Sequence, residues 1–161
     1  MMISFFLFYL IGIPVSVLLH EVGHAIGVII FSKEESYVYL GSENDLNKKN
    51  FQIGRIHFHI NRAYFGFCVV NNRTPFSKFQ SVMFLVGGPL VSLLVFVASY
   101  LVKADVTHYE IKNFLNGIAY CNLFIFICTS IPIRYPKWLK PYAGLPSDGY
   151  QIYTLLKGKI N

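Results

Sequence analysis

Two histidines four residues apart, with a glutamate beside the first, are the residues here best placed to do chemistry. The stretch His20-Glu21-Val22-Gly23-His24 reads H-E-x-x-H. On a helix, residues four apart share a face, so both imidazoles can turn a nitrogen toward one ion. Two histidines leave a tetrahedral zinc ion in need of a third protein ligand and a water. Glu21 stands where it can take the proton from that water. Metal, nucleophile and base would all lie within about a turn and a half of helix.

The surroundings make this spacing costly to keep without a use. The triad lies inside the apolar run from Ile3 to Phe31. A charged side chain at the centre of a membrane span costs roughly 2.5–3.5 kcal/mol even on the lenient insertion scale. A His/Glu packing cluster rarely offsets such a cost. Gly23 and Gly27 form G-x-x-x-G, which lets a second helix approach closely and is compatible with a metal site.

The elements that must position these residues read as membrane spans. Of the 161 residues, 54% are hydrophobic and only 14% charged, a membrane composition on a chain long enough for one unit. The charge of +6 comes from basic residues flanking apolar runs, where they set topology; nucleic-acid binding is not expected. Cys68, Cys121 and Cys128 form no C-x-x-C pair, and Cys121 and Cys128 fall on one helix face as small apolar residues. The N-terminal run has no preceding Lys or Arg, is too long for a signal peptide and lacks a small-residue cleavage site, so it reads as a retained span.

Three spans are expected: about 3–31, interrupted by Gly12 and Pro14; about 82–102, carrying Gly87-Gly88-Pro89; and about 113–133, with Asn116 and Asn122 facing the bundle. Between the first two, a β-rich loop covers about 36–72. Residues from Phe51 to Val70 alternate apolar and polar, which predicts one or two β-hairpins at the membrane surface, closed by a turn at 71–75. His57 and His59 would share one strand face, as solvated histidines or as auxiliary ligands. After the third span, a proline-rich tail leads to a short apolar helix from Tyr150 to Leu156, half-inserted or interfacial and capped by Ser147 or Asp148. The fold class is a mainly α polytopic membrane protein with a surface β region and a C-terminal half-helix.

Loop charge sets the expected orientation. The polar loop and the tail carry twelve of the Lys and Arg residues, against Lys103 and Lys112 on the other side. The β-rich loop and C-terminus are then cytoplasmic, with the N-terminus outside and the triad near the cytoplasmic face. A third ligand would come from that side. Apart from Glu34 and Glu35, which sit too close to the end of the span, Asp148, Glu43 and Asp45 are the available carboxylates, and Asp148 precedes a glycine and a short apolar helix. By spacing alone, Asp148 is a ligand or an ordinary N-cap.

In order, H-E-V-G-H-A on the first span, a surface β region, Gly-Gly-Pro on the second and an Ile-Pro…Asp-Gly segment after the third resemble the site-2 protease family of intramembrane zinc metalloproteases. H-E-x-x-H alone is shared by unrelated metalloproteases; its place in a span, followed by the other motifs, carries the resemblance. It covers nearly the whole chain and implies a three-helix catalytic core. It further implies that His20, His24 and Asp148 bind Zn2+, that Glu21 is the general base, and that Gly88, Pro89 and Asn122 are candidate substrate-binding positions. The family's second motif resembles G-P-x-x-N, and Ser92 stands at its last position. Its third resembles N-x-x-P-x-x-x-x-D-G, whereas Thr129 holds the first position here and residues 133–147 separate Pro132 from Asp148.

The expected function is zinc-dependent hydrolysis of a peptide bond in or near the transmembrane segment of a membrane-anchored protein or peptide. The alternative is a non-catalytic scaffold that binds partner spans, against which the intact Glu21 argues. A metal transporter would want a polar path through several spans, which the second and third do not offer.

Overall fold

Pro14 shapes the first apolar run. It has no N–H for the carbonyl four residues back, and its ring crowds that carbonyl. In the computed structural model, which describes residues 2–44, 46–71 and 75–158, the turn before it is widened. Helix α1 (Met2–Leu7) runs into a π-helical turn (Phe8–Gly12), where the Ile13 N–H donates to Phe8 O, and continues as α2 (Ile13–Phe31). The apolar helix therefore persists from Ile3 to Phe31.

Helix α3 (Lys78–Asp105) begins at a capping box. Ser77 Oγ accepts from the Gln80 N–H, and Gln80 Oε1 accepts from the Ser77 N–H. It outruns the expected 82–102 at both ends, because the flanking Lys78, Lys103 and Asp105 do not interrupt a helix. Helix α4 (Tyr109–Ser130) stops before the expected 133. Ile131 precedes Pro132, which disfavours helical geometry there, and its backbone is extended.

All three helices are long and apolar enough to cross a membrane. Their polarity is arranged inside out. Phe124 and Leu94 are 67% and 58% exposed, while Asn122 and Ser92 are fully buried. Such apolar outer faces would be an aggregation hazard in water and suit a lipid surround.

The β region is one mixed sheet rather than separate hairpins. Strands β1 (Ser36–Leu40), β2 (Phe51–Ile53), β3 (Ile56–Ile60) and β4 (Gly66–Val70) lie in the order β2-β3-β1-β4. A hairpin does join β2 to β3 at Gly54, whose positive φ of 56° suits glycine. The short β1 segment takes a central place, parallel to β3 and antiparallel to β4. Nothing local in Ser-Tyr-Val-Tyr-Leu announces a parallel partner twenty residues away. Val38, Ile56 and Phe58 pack one sheet face against Ala25 of α2. Strand β4 is an edge. Of the expected turn at 71–75, residues 72–74 lie outside the described residues.

From Ile131 to Ser147 the chain makes a hairpin-like arm, bridged at Arg134 and Pro146. Helix α5 (Asp148–Leu156) follows and packs against α3 and α4. Ser147 is its N-cap, accepting the Tyr150 N–H at 3.1 Å. Such a cap contributes about 1 kcal/mol, and it leaves the Asp148 carboxylate free for another role.

Candidate metal centre

Helices α2 and α3 cross with almost no spacing at Gly23 and Gly87. A Cβ on either would run into the other's carbonyl oxygen. One residue on, Gly88 leaves the room that the His24 ring fills; a side chain there would overlap the ring. The small residues expected only to allow close packing therefore also seat a histidine.

That approach brings hydrogen-bond partners to the far side of both rings. His24 Nδ1 donates to Phe84 O at 2.7 Å. Because a carbonyl only accepts, the proton sits on Nδ1 and the lone pair of Nε2 faces inward. His20 Nδ1 lies 2.9 Å from Ser92 Oγ, which can accept its proton in the same way. Bonds of this kind fix the tautomer and orientation of metal-binding histidines.

Asp148 arrives from α5. Gly149, next to it, sits against the Ser130 carbonyl so closely that no side chain would fit. The start of α5 is thereby pressed onto the end of α4, and Asp148 turns inward. Its Oδ2 lies 3.5 Å from His20 Nε2 and 3.6 Å from His24 Nε2, and the two Nε2 atoms are 3.2 Å apart. Donors held tetrahedrally about 2.0–2.1 Å from one ion lie about 3.3–3.4 Å from each other. The triangle has that size, so His20, His24 and Asp148 could hold a metal ion.

Glu21 is buried beside this group. Above it lies Gly66, the first residue of β4, where a Cβ would come within 2.9 Å of Glu21 Cγ and 2.7 Å of the Tyr39 carbonyl oxygen. Glycine there lets the sheet close over the carboxylate. The Tyr142 hydroxyl, from the arm, accepts the Gly66 N–H at 3.0 Å and donates to Gly66 O at 3.2 Å. Burial, reinforced by the nearby Glu21 charge, pushes the Tyr142 hydroxyl well up. Burial and the Asp148 charge push Tyr135 up to about 12. Both tyrosines stay protonated at neutral pH.

The other candidate positions fall as follows. Gly88 and Pro89 are buried in α3, with Gly88 against His24. Asn122 is buried between helices, its Nδ2 donating to Ser16 Oγ and to Ile118 O at 2.9 Å each. It braces the helix one turn before His20. His57 and His59 stack on Tyr37 and Tyr39 on the sheet face turned away from α2. His57 is buried rather than solvated, with Glu35 Oε2 3.3 Å from its Nε2. Glu43 is exposed, and Asp45 lies outside the described residues. The three cysteines are free and half-buried.

Sequence reasoning missed the bond from Ser92 to His20 and the bond from Tyr142 to Gly66. The only signal for the first was a polar residue one turn after Pro89 in a span; for the second there was none. Compared with protein-family models, curated proteins and solved structures, the chain matches none of them.

Proposed function

We propose that this chain is an integral membrane zinc endopeptidase, similar in plan to the site-2 proteases, that cuts a membrane-anchored substrate near the cytoplasmic face. The observation that carries the reading is the convergence of His20, His24 and Asp148 on one point, with Glu21 buried alongside, inside otherwise apolar helices. A non-catalytic scaffold has no need of that glutamate. The fit of the donor triangle to a tetrahedral ion supports zinc, as does the His/His/carboxylate donor set. His24 lies seven residues, roughly 10 Å of rise, before the end of α2 at Phe31. The site would therefore lie a short way below one membrane face, on the side where the basic loop and tail favour the cytoplasm.

Bound zinc would supply a Lewis acid for the scissile carbonyl and lower the pKa of the attacking water. The protein residues do the rest. Glu21 takes the proton from water as its oxygen joins the carbonyl carbon. It then passes that proton to the nitrogen of the leaving amine as the C–N bond breaks. Ser92 and the Phe84 carbonyl keep both imidazoles aimed inward. A helical substrate has its carbonyls hydrogen-bonded, so a short segment must unwind before attack. Edge strand β4, adjoining Glu21, can pair with that extended segment.

The test is cleavage of single-span reporter proteins in zinc-loaded proteoliposomes by the wild type and by Glu21→Gln. The reading expects cleavage in the wild type and a loss of at least roughly a hundredfold in the variant, with zinc retained. Equal cleavage by both would overturn it. Cleavage by neither, with a reporter span captured by both, would favour the scaffold.

A further inference from the structure

Near the site, one side chain makes two hydrogen bonds to a single backbone residue, Tyr142 to Gly66. One residue beyond the paired ends of β1 and β4 and in the same register, the Gly41 N–H donates to Phe65 O at 2.8 Å. Along an antiparallel ladder such bonds alternate, so Phe65, Phe67 and Val69 turn their backbone groups toward β1. Gly66, Cys68 and Val70 then direct theirs to the free edge. At Gly66 those two groups are already engaged: the Tyr142 hydroxyl accepts from its N–H and donates to its carbonyl. A residue of an added strand would exchange the same two bonds with Gly66. The Tyr142 oxygen therefore stands where a peptide unit of that strand would stand.

We infer that Tyr142 holds the place of a substrate peptide on β4, and that an extended substrate enters the site by displacing it. The inference rests on the protease reading above and deepens it. Gly66 lies directly over Glu21, so the substrate residue that takes over its bonds is the one delivered to the base. That residue must offer both an N–H and a carbonyl, which excludes proline there. Until a strand arrives, the hydroxyl satisfies two backbone groups that would otherwise be left unpaired beside a buried carboxylate. The arm that carries Tyr142 is exposed at its outer end, where Trp138 is 80% exposed. Trp138 is the only tryptophan in the chain and stands four residues from Tyr142. It therefore reports on the arm.

The experiment uses detergent-purified, zinc-loaded full chain and two probes. One is a valine-rich peptide hydroxamate; the other is acetohydroxamate, the metal-binding head alone. Tyr142→Phe removes the competing hydroxyl and should tighten the peptide hydroxamate roughly tenfold, the worth of about one exchanged hydrogen bond. It should leave acetohydroxamate unchanged and give no gain with a peptide N-methylated at alternate residues. In the wild type, the peptide but not acetohydroxamate should shift Trp138 emission. Unchanged or weaker peptide binding in the variant, with acetohydroxamate still bound, would overturn the inference and leave the protease reading standing. Failure of both probes to bind zinc-loaded wild type would overturn the protease reading, and this inference with it. Should the variant not fold, wild-type emission decides, and absence of a peptide-specific shift counts against displacement.

Discussion

His20 Nδ1 and Ser92 Oγ are 2.9 Å apart, on the side of the imidazole ring opposite the nitrogen that faces Asp148. Ser92 is fully buried in α3 and reaches α2 only because Gly23 and Gly87 let the two helices touch. A hydroxyl held this way fixes a ring that would otherwise rotate. Removing such a partner from a metal-binding histidine typically weakens metal binding about 10–100-fold. Ser92→Ala should therefore fold and insert normally yet show a zinc affinity lower by that factor in a competition titration with a chelating dye. Wild-type affinity would mean that the bond is incidental to the metal.

Gly149 has no room for a side chain against the Ser130 carbonyl. Gly149→Ala must push α5 away from the end of α4, and Asp148 moves with it. Overpacking of this kind costs about 1–3 kcal/mol. The expected result is a lower unfolding temperature in detergent together with weaker zinc binding. Loss of stability with full zinc affinity would show that Asp148 is not tied to the position of α5.

Val70 turns its backbone N–H toward the free edge of β4, by the same alternation that places Gly66. Proline is tolerated at an outward-facing edge position because no ladder bond to the neighbouring strand is lost. Val70→Pro should leave the sheet and its zinc in place and slow cleavage of a membrane-anchored reporter. Cleavage at the wild-type rate would dismiss pairing of the substrate with β4.

Asn122 binds Ser16 from inside the bundle, one turn before His20. Cutting it back to alanine removes the donor to Ser16 Oγ, which keeps only its bond to Gly12 O, and leaves a small void between the helices. The cost expected for such a deletion is about 1–3 kcal/mol. Asn122→Ala should lower the unfolding temperature while the zinc content per folded chain stays at the wild-type level. A stable variant with an altered KM would instead assign Asn122 to substrate.

Much of this arrangement was legible because it is periodic or local. The spacing of His20 and His24 puts both on one helix face whatever else the chain does, and three long apolar runs announce three long helices. Ser147, one of the two caps expected for the short apolar helix, marks the start of α5 by local backbone rules. Features that depend on how two distant elements slide past each other were not legible. Ser92 meets His20 only at the particular crossing set by Gly23 and Gly87, and a serine in an apolar run carries no sign of its partner. Strand β1 is five residues long, and its central place follows from a parallel pairing with β3 that local alternation cannot encode. Tyr142 sits on an irregular arm, so its contact with Gly66 depends on the path of the whole arm.

Everything proposed for this chain requires that His20, His24 and Asp148 together hold one zinc ion. Zinc per chain, measured by elemental analysis on detergent-purified wild type and Asp148→Ala, tests it most directly. Close to one zinc in the wild type and a clear loss in the variant at equal folded protein are expected. Zinc retained in Asp148→Ala, or none in wild type purified without chelators, would contradict it.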